Sequence, residues 1–396
     1  MTKSATLTLQ KANSLPVKVT LLLVSTLTVM AGATIAPSLP AMRQHFSALP
    51  NADYWVRLVL TVPALLIAIG APIAGGIIDR FGRKGLLAAA TFLYGLAGSS
   101  GYLLNEMGLI LLGRVLLGLS VAGIMTTATT LIADYYGGAA RAQFLGLQAA
   151  FMGFGGMVFL TLGGYFADIN WRLPFLIYLF AWLILPLIVG VLPEPDRTAS
   201  PQIQTASASD ESVPWLLLLM TYGIALVTQI VFYMIPVQLP FYLEQLVNAN
   251  AAQSGLAIAL ATLATSISAL NYQRLKAHFS FLKIYAIAFL LMAIGYPIIS
   301  VAWSYPIVLV GLAIAGLGVG LLMPNMNVCL TSSTPSALRG RILGGLTTCF
   351  FLGQFISPLV SQPLSRWVGL GTTYGLAGGL MVILTCAMVG LVLRWK

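Results

Sequence analysis

Blocks of about twenty apolar residues recur from one end of this chain to the other, separated by short charged or turn-rich pieces. A helix needs roughly 20 apolar residues to cross a hydrocarbon core about 30 Å thick, so each block is long enough to span a bilayer. A soluble domain typically carries about 25% charged residues to cover its surface. Here charged residues make up 8% of the chain and apolar residues 59%, and the apolar ones come in blocks rather than in alternation. The fold class expected is therefore all-α and integral to the membrane.

About twelve spans fit into the 396 residues. The pattern places them near 18–42, 55–78, 86–104, 109–135, 143–166 and 173–192, then near 215–242, 254–271, 283–300, 305–331, 343–364 and 374–393. Loops rich in Lys and Arg are retained in the cytoplasm. With both termini inside, fifteen of the twenty basic residues fall on the cytoplasmic side. Four fall outside (Arg43, Arg57, Arg172 and Arg366), and Arg114 falls within a span. The same bias accounts for the net charge of +10 without a nucleic acid partner. The first 16 residues are polar and the apolar block after them is longer than the apolar core of a cleaved leader, so it reads as a retained first span.

Cys329, Cys349 and Cys386 lie inside apolar blocks with no metal-ligand spacing, and His45 and His278 have no partner at helical spacing. No nucleophile–base pair or metal cluster stands out, so neither an enzyme nor a metal site is expected. The stretch 193–214 is the longest polar segment and reads as a linker. It divides the chain into a tail at 1–16, a six-helix bundle at 17–192, and a second at 215–396.

The two halves repeat. Gly118 and Gly316, Arg141 and Arg339, Gly146 and Gly344, and Gly155 and Gly353 are each 198 residues apart. Homologous six-helix halves imply a cargo site near the midplane between them, with access alternating by rocking.

The strongest local signal is Gly75-Gly76-Ile77-Ile78-Asp79-Arg80-Phe81-Gly82-Arg83-Lys84, between the second and third spans. Gly75 permits close helix approach, Gly82 a tight turn, and Asp79 suits a helix N-terminus across the interface between the halves. Arg80, Arg83 and Lys84 anchor the loop at the cytoplasmic surface. The run matches G-x-x-x-D-R-x-G-R-K at every fixed position, and on it the chain resembles the major facilitator superfamily. The resemblance implies two pseudo-symmetric six-helix bundles, and a gating network in which Asp79, Arg83 and Asp134 latch the outward-facing state. Arg141, at the cytoplasmic start of the fifth span, joins these gating candidates.

Arg114 and Gly118 resemble the family's R-x-x-x-G signature in the fourth span, which in proton-coupled relatives is tied to proton transfer. An arginine near a helix end can also snorkel to the interface. In the fifth span the antiporter branch carries G-x-x-x-G-P-x-x-G-G, a kinking and packing motif. Gly155, Gly163 and Gly164 match it, but Phe159 and Leu160 replace Gly-Pro. Gly353 and Pro358 echo it in the eleventh span. Gln229, Tyr233, Gln238, Asn325, Asn327 and Gln354 are costly facing lipid, so they face the bundle interior as cargo contacts or interhelical hydrogen bonds.

None of the ten carboxylates lies in mid-span. The cavity is therefore expected to be neutral to weakly positive and to favour neutral or anionic cargo over lipophilic cations. Proton coupling could run through Asp134, or through Glu244 at the outer end of the seventh span. The resemblance implies a monomeric exporter in the cytoplasmic (inner) membrane of a bacterium, resembling the drug–proton antiporters. It would carry small molecules through the lipid bilayer on a proton gradient, without a cofactor. A facilitator or importer of metabolites is the alternative, and a transport-free sensor is a third reading.

Overall fold

The computed structural model describes residues 14–194, 215–335 and 338–394, without the side chains of Ala33, Asp79, Arg80, Phe81 and Ala142. Twelve long helical segments and one short helix, Tyr272–His278, fill these residues, the long ones being α1 (Leu15–His45), α2 (Ala52–Phe81), α3 (Arg83–Ser99), α4 (Met107–Tyr135), α5 (Gly138–Ile169), α6 (Leu173–Val191), α7 (Trp215–Val247), α8 (Ala251–Leu270), α9 (Phe281–Ser300), α10 (Tyr305–Ser332), α11 (Arg339–Val368) and α12 (Leu370–Arg394). Eleven are long and apolar enough to cross a membrane. The remaining one, α3, has 17 residues and is prolonged by a 3-10 turn at Ser100–Tyr102.

Proline shapes the irregular pieces, because it cannot donate to the preceding turn. α1 leaves α geometry after Ala33, makes a 3-10 turn at Ala36–Ser38 around Pro37, and resumes at Leu39–His45. α6 begins with a 3-10 stretch, Leu173–Leu179, that has Pro174 near its start. α5, by contrast, runs unbroken for 32 residues, and Phe159 and Leu160 are buried within it.

The packing pattern is the same in both halves, six helices apart. α1 packs against α4, α5 and α6, as α7 packs against α10, α11 and α12. α2 packs on α4 and α3 on α4 and α6, matching α8 on α10 and α9 on α10 and α12. Between the halves, the most extensive contacts, α2 with α11 and α5 with α8, are also equivalent, and the distal part of α1 meets α7 and α8.

The repeated glycines sit at these crossings. A Cβ on Gly118 would lie 2.6 Å from the Pro63 carbonyl oxygen of α2, and one on Gly316 would lie 2.6 Å from that of Ala261 on α8. Gly155 abuts Thr26 of α1, and Gly353 abuts the Leu226 carbonyl of α7. Exposed apolar side chains such as Leu183, Leu219 and Ile383 cover the outer surface of the bundle, as lipid requires. The three cysteines are free, with Cys329 buried and Cys386 exposed.

Candidate functional site

The bundle has two unlike ends. At the linker end, Glu194 follows α6 and Trp215 begins α7. At the distal end, α5 finishes and α8 begins. Here the two helices touch backbone to backbone: a Cβ on Gly164 would lie 2.7 Å from the Ala251 carbonyl oxygen, and one on Gly255 2.7 Å from that of Leu160. Gly163 meets the Thr34 carbonyl of α1 in the same way. Near the linker end the helices part, and a Cβ on Gly146 would meet nothing within 4 Å.

The parting leaves a cavity of about 640 Å³. Thr228, Gln229 and Phe232 of α7, Thr265 and Ser266 of α8, Asn327 of α10 and Phe350 of α11 line it, with Leu145, Gly146 and Ala149 of α5 opposite. Among the described residues, none that lines it carries a charge. Tyr272, also on the wall, stays a neutral hydroxyl because burial pushes it up to about 12. Of the six polar candidates from the sequence, Gln229 and Asn327 face this space. Gln354 stands behind, its Nε2 donating to Gln229 Oε1 at 3.4 Å. Tyr233, one turn further from the linker end, packs its hydroxyl against Gly32 of α1.

The other two candidates do different work. Asn325 is fully buried, accepts from the Tyr272 hydroxyl at 3.2 Å and donates to the Phe281 carbonyl at 3.1 Å. It ties α9 and α10 to the short helix Tyr272–His278, because its i, i+2 offset from Asn327 turns it away from the cavity. Gln238, two turns beyond Gln229, sits in the closure at the distal end.

That closure is polar and buried. Arg57 of α2 is 3% exposed, donates from Nε to Gln238 Oε1 at 3.0 Å, and lies 3.9 Å from the centre of the Phe241 ring. Gln238 Nε2 donates in turn to Ser361 and Gln362 of α11 at 3.0 and 3.2 Å. Asp53 gathers three guanidiniums: Arg43 at 2.8 Å, Arg366 at 3.4 Å and Arg57 at 3.5 Å. Nearby, both oxygens of Asp168 at the end of α5 accept from the first two backbone amides of α8, Ala251 at 2.7 Å and Ala252 at 3.2 Å. Distal contacts thus join the halves along α2–α7, α2–α11 and α5–α8.

At the linker end, Gly82 has φ of +90°, the left-handed conformation expected of the turn between α2 and α3. Arg83 pairs with Asp134 at 3.1 Å. Both belong to the first six helices, so the pair holds α3 to α4 and does not bridge the halves. Glu194 caps the same helix, accepting from the backbone amides of Arg83 and Lys84 at 2.8 Å each. A carboxylate there is favoured by the orphan amides and the helix dipole. The side chains of Asp79 and Arg80 lie outside the described residues. A Cβ on Gly75 would meet nothing within 4 Å among the described residues. Arg141 is exposed.

The sequence profile of the Major Facilitator Superfamily matches residues 21–358 and again residues 221–396. The protein belongs to the major facilitator superfamily. The bacillibactin exporter of Bacillus subtilis (strain 168) is 27% identical to it over 368 residues, 86% of this chain and 88% of that exporter. Multidrug resistance protein 1 of the same organism is 33% identical over a shorter stretch of 148 residues, 35% of this chain and 36% of that one. In fold, a crystal structure of a D-xylose–proton symporter superposes with a TM-score of 0.78 at 18% identity, over 94% of this chain and 96% of the symporter. Superfamily members are transporters rather than enzymes, and no cofactor is required.

In this facilitator fold Arg114 does not snorkel. It is fully buried, donates from Nη2 to the Gly98 carbonyl at 2.7 Å, and lies 4.8 and 5.0 Å from the Phe175 and Tyr178 ring centres. Its Nε and Nη1 face these rings and find no hydrogen-bond acceptor in good geometry among the described residues. An arginine buried without a carboxylate adds little to stability. It does not line the cavity. Sequence reasoning missed the distal residues Asp53, Asp168 and Glu194 at the linker. Their signal was faint: carboxylates within three residues of helix ends.

Proposed function

We propose that this protein is a secondary active exporter, moving small neutral or anionic molecules out of the bacterial cytoplasm by alternating access and driven by a proton gradient. The linker end is the cytoplasmic end, with both termini inside the cell's inner membrane. It works as a monomer built of bundles 17–192 and 215–396. The described state is then inward-facing, closed outside and open to the cytoplasm.

The observation that carries this reading is the uncharged cavity open at the basic end of the molecule. A lipophilic cation entering it gives up hydration and meets no carboxylate in return, whereas amides and hydroxyls can satisfy a neutral molecule. Export rather than import is supported by the match to a bacterial exporter across 88% of that relative. Arg114, buried in the first half, is the proton-coupling candidate. The test compares metabolites released by deletion and overexpressing cells, then follows the released compound into inverted vesicles. Uptake abolished by a protonophore supports proton-driven export. Gradient-insensitive equilibration would make the protein a facilitator. Tight binding of an ethidium-type cation, with Arg114→Ala leaving the affinity unchanged, would sink the cargo reading.

A further inference from the structure

The N-terminus of α8 is completed by the other half of the molecule. The first amides of an α-helix have no partner inside the helix. In α8 the third, that of Gln253, is satisfied locally by the Asn250 side chain at 2.9 Å, within a reciprocal capping box. The first two, those of Ala251 and Ala252, are satisfied only by Asp168 of α5. Gly164 lies one turn before that carboxylate and lets the α5 backbone come within reach. The cap therefore exists only while α5 and α8 touch at the distal end. In a state with that end open, both amides and the carboxylate turn to water.

The equivalent crossing, α2 on α11, carries its own distal carboxylate, Asp53, which reaches Arg366 across the interface. One acid thus stands at each of the two symmetry-related seams. From this geometry we infer that Asp168 is a gating residue: with Asp53 it forms a two-point lock on the distal mouth and sets the balance between the two access states. The inference rests on alternating access and not on the cargo or its direction.

The experiment places spin labels at Leu103→Cys and Val301→Cys, exposed distal positions in the first and second halves, in a background with the three native cysteines replaced. Distances are measured in lipid nanodiscs without cargo. Losing a side-chain helix cap costs enough to move an equilibrium about three- to tenfold. Asp168→Ala should therefore raise the ratio of long to short distances by about that factor, and Asp168→Asn, which keeps one acceptor, by less. Asn250→Ala removes a cap that α8 keeps in both states and should leave the ratio within about twofold. Glu106→Ala, a distal carboxylate outside the seams, should do the same. If Asp168→Ala does not fold, Asp168→Asn carries the test. A wild-type distance distribution in the folded Asp168 variant, a shift toward closure, or an equal shift from Asn250→Ala would each overturn the lock.

Discussion

Replacing Gln238 with leucine would remove the centre of the distal closure and leave its neighbours in place. Arg57 Nε would lose its only acceptor at 3.0 Å in a site where the arginine is 3% exposed. The Ser361 hydroxyl and the Gln362 amide would lose the donor that joins them to α7. A buried polar group left unpaired costs about 1–3 kcal/mol, more if it is charged. In a distal-open state the same groups face water, so the cost falls on the closed state alone. A loss of about 2 kcal/mol is roughly a thirtyfold shift toward the open mouth. The assay compares maleimide labelling of Ala149→Cys in the cavity with Ser38→Cys, which is buried in the distal kink of α1 while that end is closed. Gln238→Leu should slow the first and speed the second. Gln238→Glu should do the reverse, because a carboxylate grips Arg57 more strongly. Ser361 and Gln362 can both turn to donate to it. Equal labelling in all three proteins, or movement of both variants in one direction, would refute the reasoning.

Three further outcomes are expected. Arg114→Met should leave the thermal midpoint within about 2 °C of wild type or raise it, since a buried charge without a carboxylate contributes little stability. The same variant should lose gradient-driven uptake, and a fall in midpoint of more than about 5 °C would make the residue structural. Gly164→Val places its side chain on the Ala251 carbonyl, so labelling of the otherwise buried Ser38→Cys should rise severalfold as the distal mouth fails to shut. Gln229→Glu puts a carboxylate into an uncharged cavity, and an attraction worth about 1.4 kcal/mol would tighten binding of a lipophilic cation about tenfold. Unchanged affinity in a fluorescence titration would mean that the cation does not reach α7.

The spans, the repeat and the loop at 75–84 were legible because each rests on local chemistry: length of apolar run, glycine spacing, and charge against a membrane. The cavity was half legible. Amide side chains had to face inward, yet sequence could not say that Gln229 and Asn327 reach the cavity while Gln238 and Asn325 hold helices together. That distinction depends on the tilt of α7 and α10. Four arginines broke the charge bias, and three of them, Arg43, Arg57 and Arg366, converge on Asp53. The fourth, Arg172, donates to Asn105 and lies over Trp171. An exception to a strong rule was thus the readable trace of the distal closure, although its partner carboxylate lies in a different span from two of the three arginines.

Phe159 and Leu160 give α5 the mechanics of a stiff beam. Where the antiporter motif has Gly-Pro, this helix keeps its hydrogen bonds through all 32 residues. It rests on α8 near mid-length, where Gly156 meets Thr262. From there the arms run about 18 Å to Asp168 and about 23 Å to Arg141, at 1.5 Å per residue. A tilt that spreads one mouth by a few ångströms therefore narrows the other by nearly as much. In a protein that works by alternating access, such leverage would keep the two mouths from opening together without a plug. A proline at 160 would soften the beam, letting each mouth move alone and uncoupling the transporter while leaving both of its closures intact.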